Sequence, residues 1–329
     1  MVEKRKVGPF AVDPIGLGCM SLSHAYGAPP DAAHSARLLN RALDLGYDFI
    51  DSAALYGFGA NETLIGEAIA HRRSEYVLAS KCGITGVDGK RVIDGRPETL
   101  LRTVDESLQR LRTEVIDLYY LHRWDKNVPI EESIGALSKM VEAGKVRAIG
   151  LSEVSAETLR KAHEVHPIAA VQTEYSPWSR NVELGVLAAT AEMGAALVAF
   201  SPTARGFLAG RIRSTEQFEA GDLRRNMPRF QTDNLARNLA LYDRFSAHAA
   251  RVGCTPAQLS LAWLLTRGPH VIPIPGTTSH AHLEENFAAG SIALPVDIIA
   301  EIDTLLEPGA IAGARYSAAT LAEIDTEDY

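Results

Sequence analysis

Cysteine is scarce in this chain of 329 residues, which holds only Cys19, Cys82 and Cys254. An odd number at wide spacing supplies neither a disulfide framework nor the paired spacing of a zinc site, so free thiols in a reducing compartment are expected. Long apolar runs are missing too, and no stretch approaches the roughly 18 residues of a membrane helix. Positive charge is in deficit, 33 Lys and Arg against 41 Asp and Glu. The resulting net charge of -8 and the lack of a domain-sized basic face argue against nucleic acid as a partner. Met1 to Pro9 is charged and has no apolar core, so no secretion signal is read and a cytoplasmic location is expected. Paired His-x-His ligands at a strand end are absent, since His280 and His282 fall in a loop or helix start. A metal-dependent hydrolase is therefore disfavoured, and no metal is expected. No GxGxxG follows the first strand, which argues against a doubly wound dinucleotide-binding sheet.

What is present is a strand-helix rhythm. Residues 4–12 read as a hairpin turning at Gly8-Pro9, ahead of a first strand Ile15-Gly16-Leu17-Gly18. A helix from after Asp31 to Leu45 carries Leu38, Leu39, Ala42 and Leu45 on one face, and Gly46 ends it. Further strands are read at 48–51, 75–80, 116–121, 145–150, 168–172, 195–200 and 271–274, with helices between them and a long polar segment over 203–232. The stretch 83–96 reads as a Gly-rich loop before a helix opening at Pro97. Eight such units, and no composition shift along the chain, point to an α/β fold. The expectation is a (β/α)8 TIM barrel with an N-terminal β-hairpin and long loops over its C-terminal face. A single domain over 1–329 is expected, with a core from about 4 to 308 and a tail from 309 to 329.

Six strands end in a polar or ionisable residue: Asp51, Lys81, His122, Ser152, Gln172 and Ser201. In parallel strands of a barrel those ends converge on one face, so residues spread over the chain meet in one pocket. With Tyr56 from the loop after Asp51, they suit carbonyl reduction. A free tyrosine, with a pKa of about 10, is a poor acid near neutrality. An adjacent ammonium lowers that value, a carboxylate keeps the ammonium charged, and a histidine polarises the carbonyl. Taken singly, Tyr56 is better read as a packed aromatic, Lys81 as a snorkelling side chain and His122 as part of a surface network with Arg123 and Asp125. Their convergence on successive strand ends reverses that preference, because a barrel layer is normally apolar.

The segment from Asp48 to Tyr56, followed by Asn61-Glu62, resembles the signature of the aldo-keto reductases. Ala79-Ser80-Lys81, Leu121-His122, the run Ile272 to Thr277 and Leu283 to Asn286 match further segments of that family in order and spacing, from about residue 4 to 308. The resemblance implies a barrel that binds a nicotinamide cofactor, NADP(H) with NAD(H) possible, and acts on a small carbonyl or alcohol. By position, Asp51, Tyr56, Lys81 and His122 become the catalytic residues, with Tyr56 as proton donor. Cofactor contacts are implied for Gly18, Met20, Asp51, Ser152, Gln172, Phe200 and the segment Ser201, Pro202, Thr203, Arg205, Gly206 and Leu208. Arg211, Gly276, Thr277, Thr278, His282, Glu285 and Asn286 complete that set. Ser152 and Gln172 are expected to hold the carboxamide, Phe200 to stack on the nicotinamide, and the amides of 201–208 with Arg205 and Arg211 to face the pyrophosphate.

The chain departs from the pattern at two places. Glu153 stands where many members have Asn, and Gly276 and His282 replace basic residues of the 2′-phosphate pocket. Tyr26, Phe58, Trp124 and Trp178 are expected to line an apolar substrate pocket, and the tail with Arg315-Tyr316 to lie near its mouth or dock on a neighbour. The alternative is a cofactor-binding regulatory subunit like those of potassium channels. That reading calls for a partner-binding surface or an N-terminal extension, whereas the barrel pattern starts almost at once.

Overall fold

The computed structural model describes residues 3–87 and 90–329. In chain order its strands are β1 (Arg5–Val7), β2 (Phe10–Val12), β3 (Leu17–Gly18), β4 (Phe49–Asp51), β5 (Val77–Cys82) and β6 (Ile84–Val87). They continue with β7 (Lys90–Ile93), β8 (Ile116–Leu121), β9 (Val146–Ser152), β10 (Ile168–Glu174), β11 (Ala196–Phe200) and β12 (Val271–Pro273). Strands β3, β4, β5, β8, β9, β10, β11 and β12 lie side by side in that order, all parallel. The two edges then meet. Gly18 bridges Gly276, and the Gly16 amide donates to the Pro273 carbonyl at 3.0 Å. A Cβ on Gly18 would lie 2.8 Å from the Ile274 carbonyl oxygen, so the seam closes only because that position is glycine. The result is the (β/α)8 barrel of the sequence reading.

Most helices wrap the barrel on one apolar stripe, whereas helix Pro256–Leu265 is buried nearly all round. Helix Ala32–Leu45 is capped by Asp31, whose carboxylate accepts from the His34 amide at 2.7 Å. It buries Leu38, Leu39, Ala42 and Leu43 and stops at Gly46, whose φ of 108° suits glycine. Burying each such leucine contributes about 1.5–3 kcal/mol. Inside the barrel the layer is separate and finely graded in size, with Ala79, Ala148, Ala170 and Ala196 beside Phe49, Leu118 and Tyr120. The hairpin β1–β2 plugs its lower end with Val7 and Val12, both fully buried.

Two segments depart from the sequence reading. The stretch read as a loop contains the antiparallel hairpin β6–β7, in register from Ile84↔Ile93 to Val87↔Lys90. Its strands are only four residues long and carry Gly86, Lys90 and Arg91, so apolar alternation is too weak to announce them. Helix Val296–Leu305 also lies beyond the elements read from the sequence.

The tail returns across the C-terminal face of the same chain. Arg315 donates to the Glu153 carboxylate at 2.6 Å, both side chains being buried. Arg205 bonds Glu174 at 3.0 Å and the Tyr316 hydroxyl at 3.0 Å. Burial opposes ionisation of Glu174, but Arg205, Arg315 and Arg229 outweigh it and bring the carboxyl down to about 2. Removing one member of a buried pair strands the other charge, at a cost of about 3–5 kcal/mol. Arg315→Met is therefore expected to lower the denaturation midpoint strongly, while R315M with E153Q recovers much of the loss because both charges leave together. Guanidinium unfolding of the two variants checks this, and a parental midpoint for R315M would refute it.

Candidate active site

Lys81 organises the polar end of the barrel. Its Nζ donates to Asp51 Oδ1 at 2.5 Å, to the Ser52 carbonyl at 2.6 Å and to the Tyr56 hydroxyl at 3.2 Å. Asp51, the last residue of β4, is in register with Ala79 of the adjacent β5, and Lys81, two residues on, projects from the same face, so its long side chain reaches Asp51. The other Asp51 oxygen accepts from Gln172 Nε2 at 2.7 Å. Burial alone would lower the Lys81 pKa, but Asp51 and Tyr56 more than offset it and hold the ammonium above its ordinary value. His122 follows β8, and its ring stands edge-on to Tyr56 with centroids 5.8 Å apart.

Asn61 sets the loop that carries Tyr56. It donates to the Cys19 carbonyl at 2.8 Å and to Ser23 at 2.9 Å, and accepts from Ser52 at 2.7 Å. Burial dominates the tyrosine, pushing its pKa above the ordinary phenol value, while Lys81 and Arg123 pull it back and Asp51 adds to the rise. The net lowering expected from the sequence is thus not what the site shows, because the cost of a buried phenolate exceeds the help of the ammonium. Burial, with Arg123, Lys81 and Arg91, holds the His122 imidazolium well below the usual range, so the ring is neutral at physiological pH.

These groups open into a cavity of about 750 Å³. At the catalytic end it is lined by Asp51, Tyr56, His122, Ser152, Gln172 and Phe200, with Gly18 and Met20 on the seam side. It runs past Ser201, Pro202, Thr203, Arg205 and Gly206 to Arg211, Gly276, Thr277, Thr278, His282, Glu285 and Asn286. At that far end an Arg211 Nη2 lies 2.6 Å from His282 Nε2, beside the start of helix His280–Ala288, which Ser279 caps. Arg211, expected from the resemblance to face the pyrophosphate, thus stands beside His282 instead.

Several expected site residues sit elsewhere. Leu208 is fully buried and does not line the cavity, and its amide already donates to the Thr203 carbonyl. The amides of Ala204, Gly206 and Phe207 are likewise spent inside the turn, so 201–208 offers fewer free donors to an anion than expected. Arg205 does line the cavity, but Glu174 already neutralises it. Trp178 is a core residue, its ring 4.0 Å from that of Phe207. Trp124 turns away to donate to the Val128 carbonyl at 2.9 Å, and Phe58 is 59% exposed with its ring against Gly86. Of the four aromatic substrate-pocket candidates, only Tyr26 lines the cavity. An aromatic residue in a loop signals burial of some kind, and its pattern does not say where.

Glu153 is turned from the cavity by a positive φ of 56° and is tied to Arg315. Cavity residues missed from the sequence include His24, Arg91, Arg123 and Arg224. Adjacency to His122 was the one available signal for Arg123. Tyr316 lies at the mouth of its own chain's cavity, the first of the two places expected for the tail.

A barrel with a Lys–Asp–Tyr–His cluster at the C-terminal strand ends and a long cleft beside it defines an oxidoreductase of carbonyl and alcohol groups that works with a nicotinamide cofactor. Residues 14–307 match the model of the Aldo/keto reductase family, and the chain belongs to that family. It is 44% identical over 322 residues to the aldo-keto reductase yakc of Schizosaccharomyces pombe, whose name specifies NADP(+), covering 96% of this chain and 94% of that one. The glycerol dehydrogenase AKR11B4 from Gluconobacter oxydans superposes with a TM-score of 0.84 at 30% identity, over 93% of this chain and 94% of that one. An aldo/keto reductase from Klebsiella pneumoniae, solved with NADP and acetate, gives 0.72 at 28% identity over 96% and 99%. No helix among the described residues is long and apolar enough to cross a membrane.

Proposed function

We propose that this chain reduces an aldehyde or ketone to the alcohol, reversibly, with Tyr56 as the proton donor and NADPH as the preferred reductant, NADH being usable. The observation that carries this is one buried amine, Lys81 Nζ, bonded at once to Asp51 and to the Tyr56 hydroxyl. The donor set fits a nicotinamide dinucleotide. Gln172, Ser152 and Phe200 offer amide, hydroxyl and ring at the catalytic end, and Glu285 and Asn286 polar groups at the other. Arg211, with no carboxylate partner among the described residues, waits beside His282 for an anion. When bound, the reduced cofactor supplies the hydride. The carbonyl oxygen is held by the Tyr56 hydroxyl and, where its tautomer presents N–H, by the neutral His122 ring. Tyr56 gives that oxygen its proton, and Lys81, kept charged by Asp51, stabilises the phenolate left behind.

Purified enzyme incubated with NADPH and a panel of aldehydes and ketones is expected to oxidise the cofactor, and no turnover with any of them would overturn the reading. The cofactor preference has its own test. A charge-assisted hydrogen bond contributes about 1.5–3 kcal/mol, so Arg211→Ala should reduce kcat/KM with NADPH about tenfold or more while changing NADH little. Equal losses with both cofactors would remove Arg211 from 2′-phosphate recognition.

A further inference from the structure

Five arginines line the cavity, Arg91, Arg123, Arg205, Arg211 and Arg224. Three are already neutralised: Arg91 pairs with Glu323, Arg205 with Glu174 at 3.0 Å, and Arg224 with Asp222 at 2.6 Å. Among the described residues the other two have no carboxylate within ion-pair distance, and they stand at opposite ends. Arg211 is at the adenosine end, beside His282. Arg123 is at the catalytic end, immediately after His122, and its Nη1 donates to the His122 carbonyl at 2.6 Å and to Ser152 Oγ at 3.2 Å. Its Nε is buried without a partner, and its Nη2 makes no hydrogen bond to the described residues.

From this we infer that the substrate is an anionic carbonyl compound, bearing a carboxylate or phosphate a few bonds from the reacting carbon, and that Arg123 is the residue that selects it. The inference rests on the carbonyl-reductase reading above and names the substrate class of that same site.

Arg123 is half-buried, and a guanidinium partly withdrawn from water without a counter-ion carries a desolvation cost that an anion can offset. The cleft supplies no free counter-ion at that end, because the Asp51 carboxylate is engaged by Lys81 and Gln172. A ligand carrying its own negative charge supplies it, and the planar guanidinium matches the two oxygens of a carboxylate or phosphate. Arg123 stands beside the chemistry by geometry, its Nη1 2.6 Å from the carbonyl of His122 and 3.2 Å from the Ser152 hydroxyl, both residues of the catalytic end. An anion held there therefore leaves its neighbouring carbonyl at that end. The competing account is that Arg123 only fixes the His122 backbone and the Ser152 hydroxyl. That account predicts a loss common to all substrates.

The test compares kcat/KM, with NADPH, for matched charged and neutral substrates: 4-carboxybenzaldehyde against its methyl ester, succinic semialdehyde against its methyl ester, and glyceraldehyde 3-phosphate against glyceraldehyde. The parent enzyme should favour the charged member of at least one pair about tenfold or more, as a charge-assisted contact allows. The carboxylate and phosphate arms tell which anion is taken. Arg123→Met should bring that ratio to near one, chiefly through KM, and Arg123→Lys should keep part of it. If R123M does not yield folded protein, R123Q serves for the same comparison. Benzoate titrated calorimetrically into the NADP⁺ complex gives a readout without turnover, and its binding should weaken about tenfold or more in the variant.

Neutral members favoured by the parent in every pair would overturn the inference. So would equal losses of both members of each pair in R123M. In both cases turnover of neutral aldehydes would leave the reductase reading standing. Absence of turnover with every compound would instead remove that reading, and this one with it.

Discussion

Tyr56→Phe should leave a folded protein that binds NADPH with nearly parental affinity and reduces carbonyls about 10²- to 10⁴-fold more slowly. The ring is 9% exposed and packs edge-on against His122, so phenylalanine keeps its contacts and loses only the hydroxyl. That hydroxyl bonds Lys81 at 3.2 Å, and Lys81 retains Asp51 and the Ser52 carbonyl as partners in the variant. Little stability is at stake, which makes the rate a clean measure of proton donation. Steady-state turnover measured beside fluorescence titration of NADPH decides it. Parental turnover within a few-fold would mean that another group donates the proton. His122 is poorly placed to do so as an acid, since its neutral ring has no excess proton near pH 7.

The convergence of the polar strand-end residues was legible in the sequence because their positions sit where the period of the fold dictates direction. Asp51, His122, Ser152 and Gln172 all line the cavity from the same rim once the strands are parallel, with Lys81 buried against Asp51 and Tyr56. Long-range pairings were not legible. Nothing in the order of residues says that Arg315 meets Glu153 across more than 150 positions, or that Arg205 is claimed by Glu174 before any ligand arrives. The same holds for aromatic loop residues. Trp178 and Tyr26 have similar local settings in the sequence, yet one packs on Phe207 and the other on the cavity wall under the Arg224 guanidinium. Local pattern decides which face of a strand a residue occupies, while loop side chains are placed by partners far away in the chain. The pull of Lys81 on Tyr56 follows from the motif, whereas the burial that outweighs it depends on the whole barrel.

Lys81→Met is expected to be nearly as damaging, with a distinctive pH signature. The reduction direction requires the protonated phenol, and Tyr56 lies above its ordinary value, so the parent's reduction rate should be flat through neutrality. The oxidation direction requires the phenolate to receive the alcohol proton, so its rate should climb with pH toward the tyrosine's pKa. Lys81 is the strongest influence pulling that pKa down. With methionine in its place the phenolate is less stable, and the climb moves to higher pH. The rate at neutral pH should fall by about 10²–10³, the scale of one lost electrostatic contact in an enclosed site.

Asp51→Asn acts on the same chain of groups by another route. Without its carboxylate, the burial that opposes a charged Lys81 goes unanswered by its main partner, so the ammonium titrates at lower pH. Once Lys81 is methionine, the carboxylate has no ammonium left to hold. The double variant's loss should therefore be smaller than the product of the two single losses. It should also be more stable than K81M alone, which leaves Asp51 buried with only Gln172 as partner. Fully multiplicative rate losses, or an alkaline limb that stays put in K81M, would show that Lys81 and Asp51 do not reach the reaction through Tyr56.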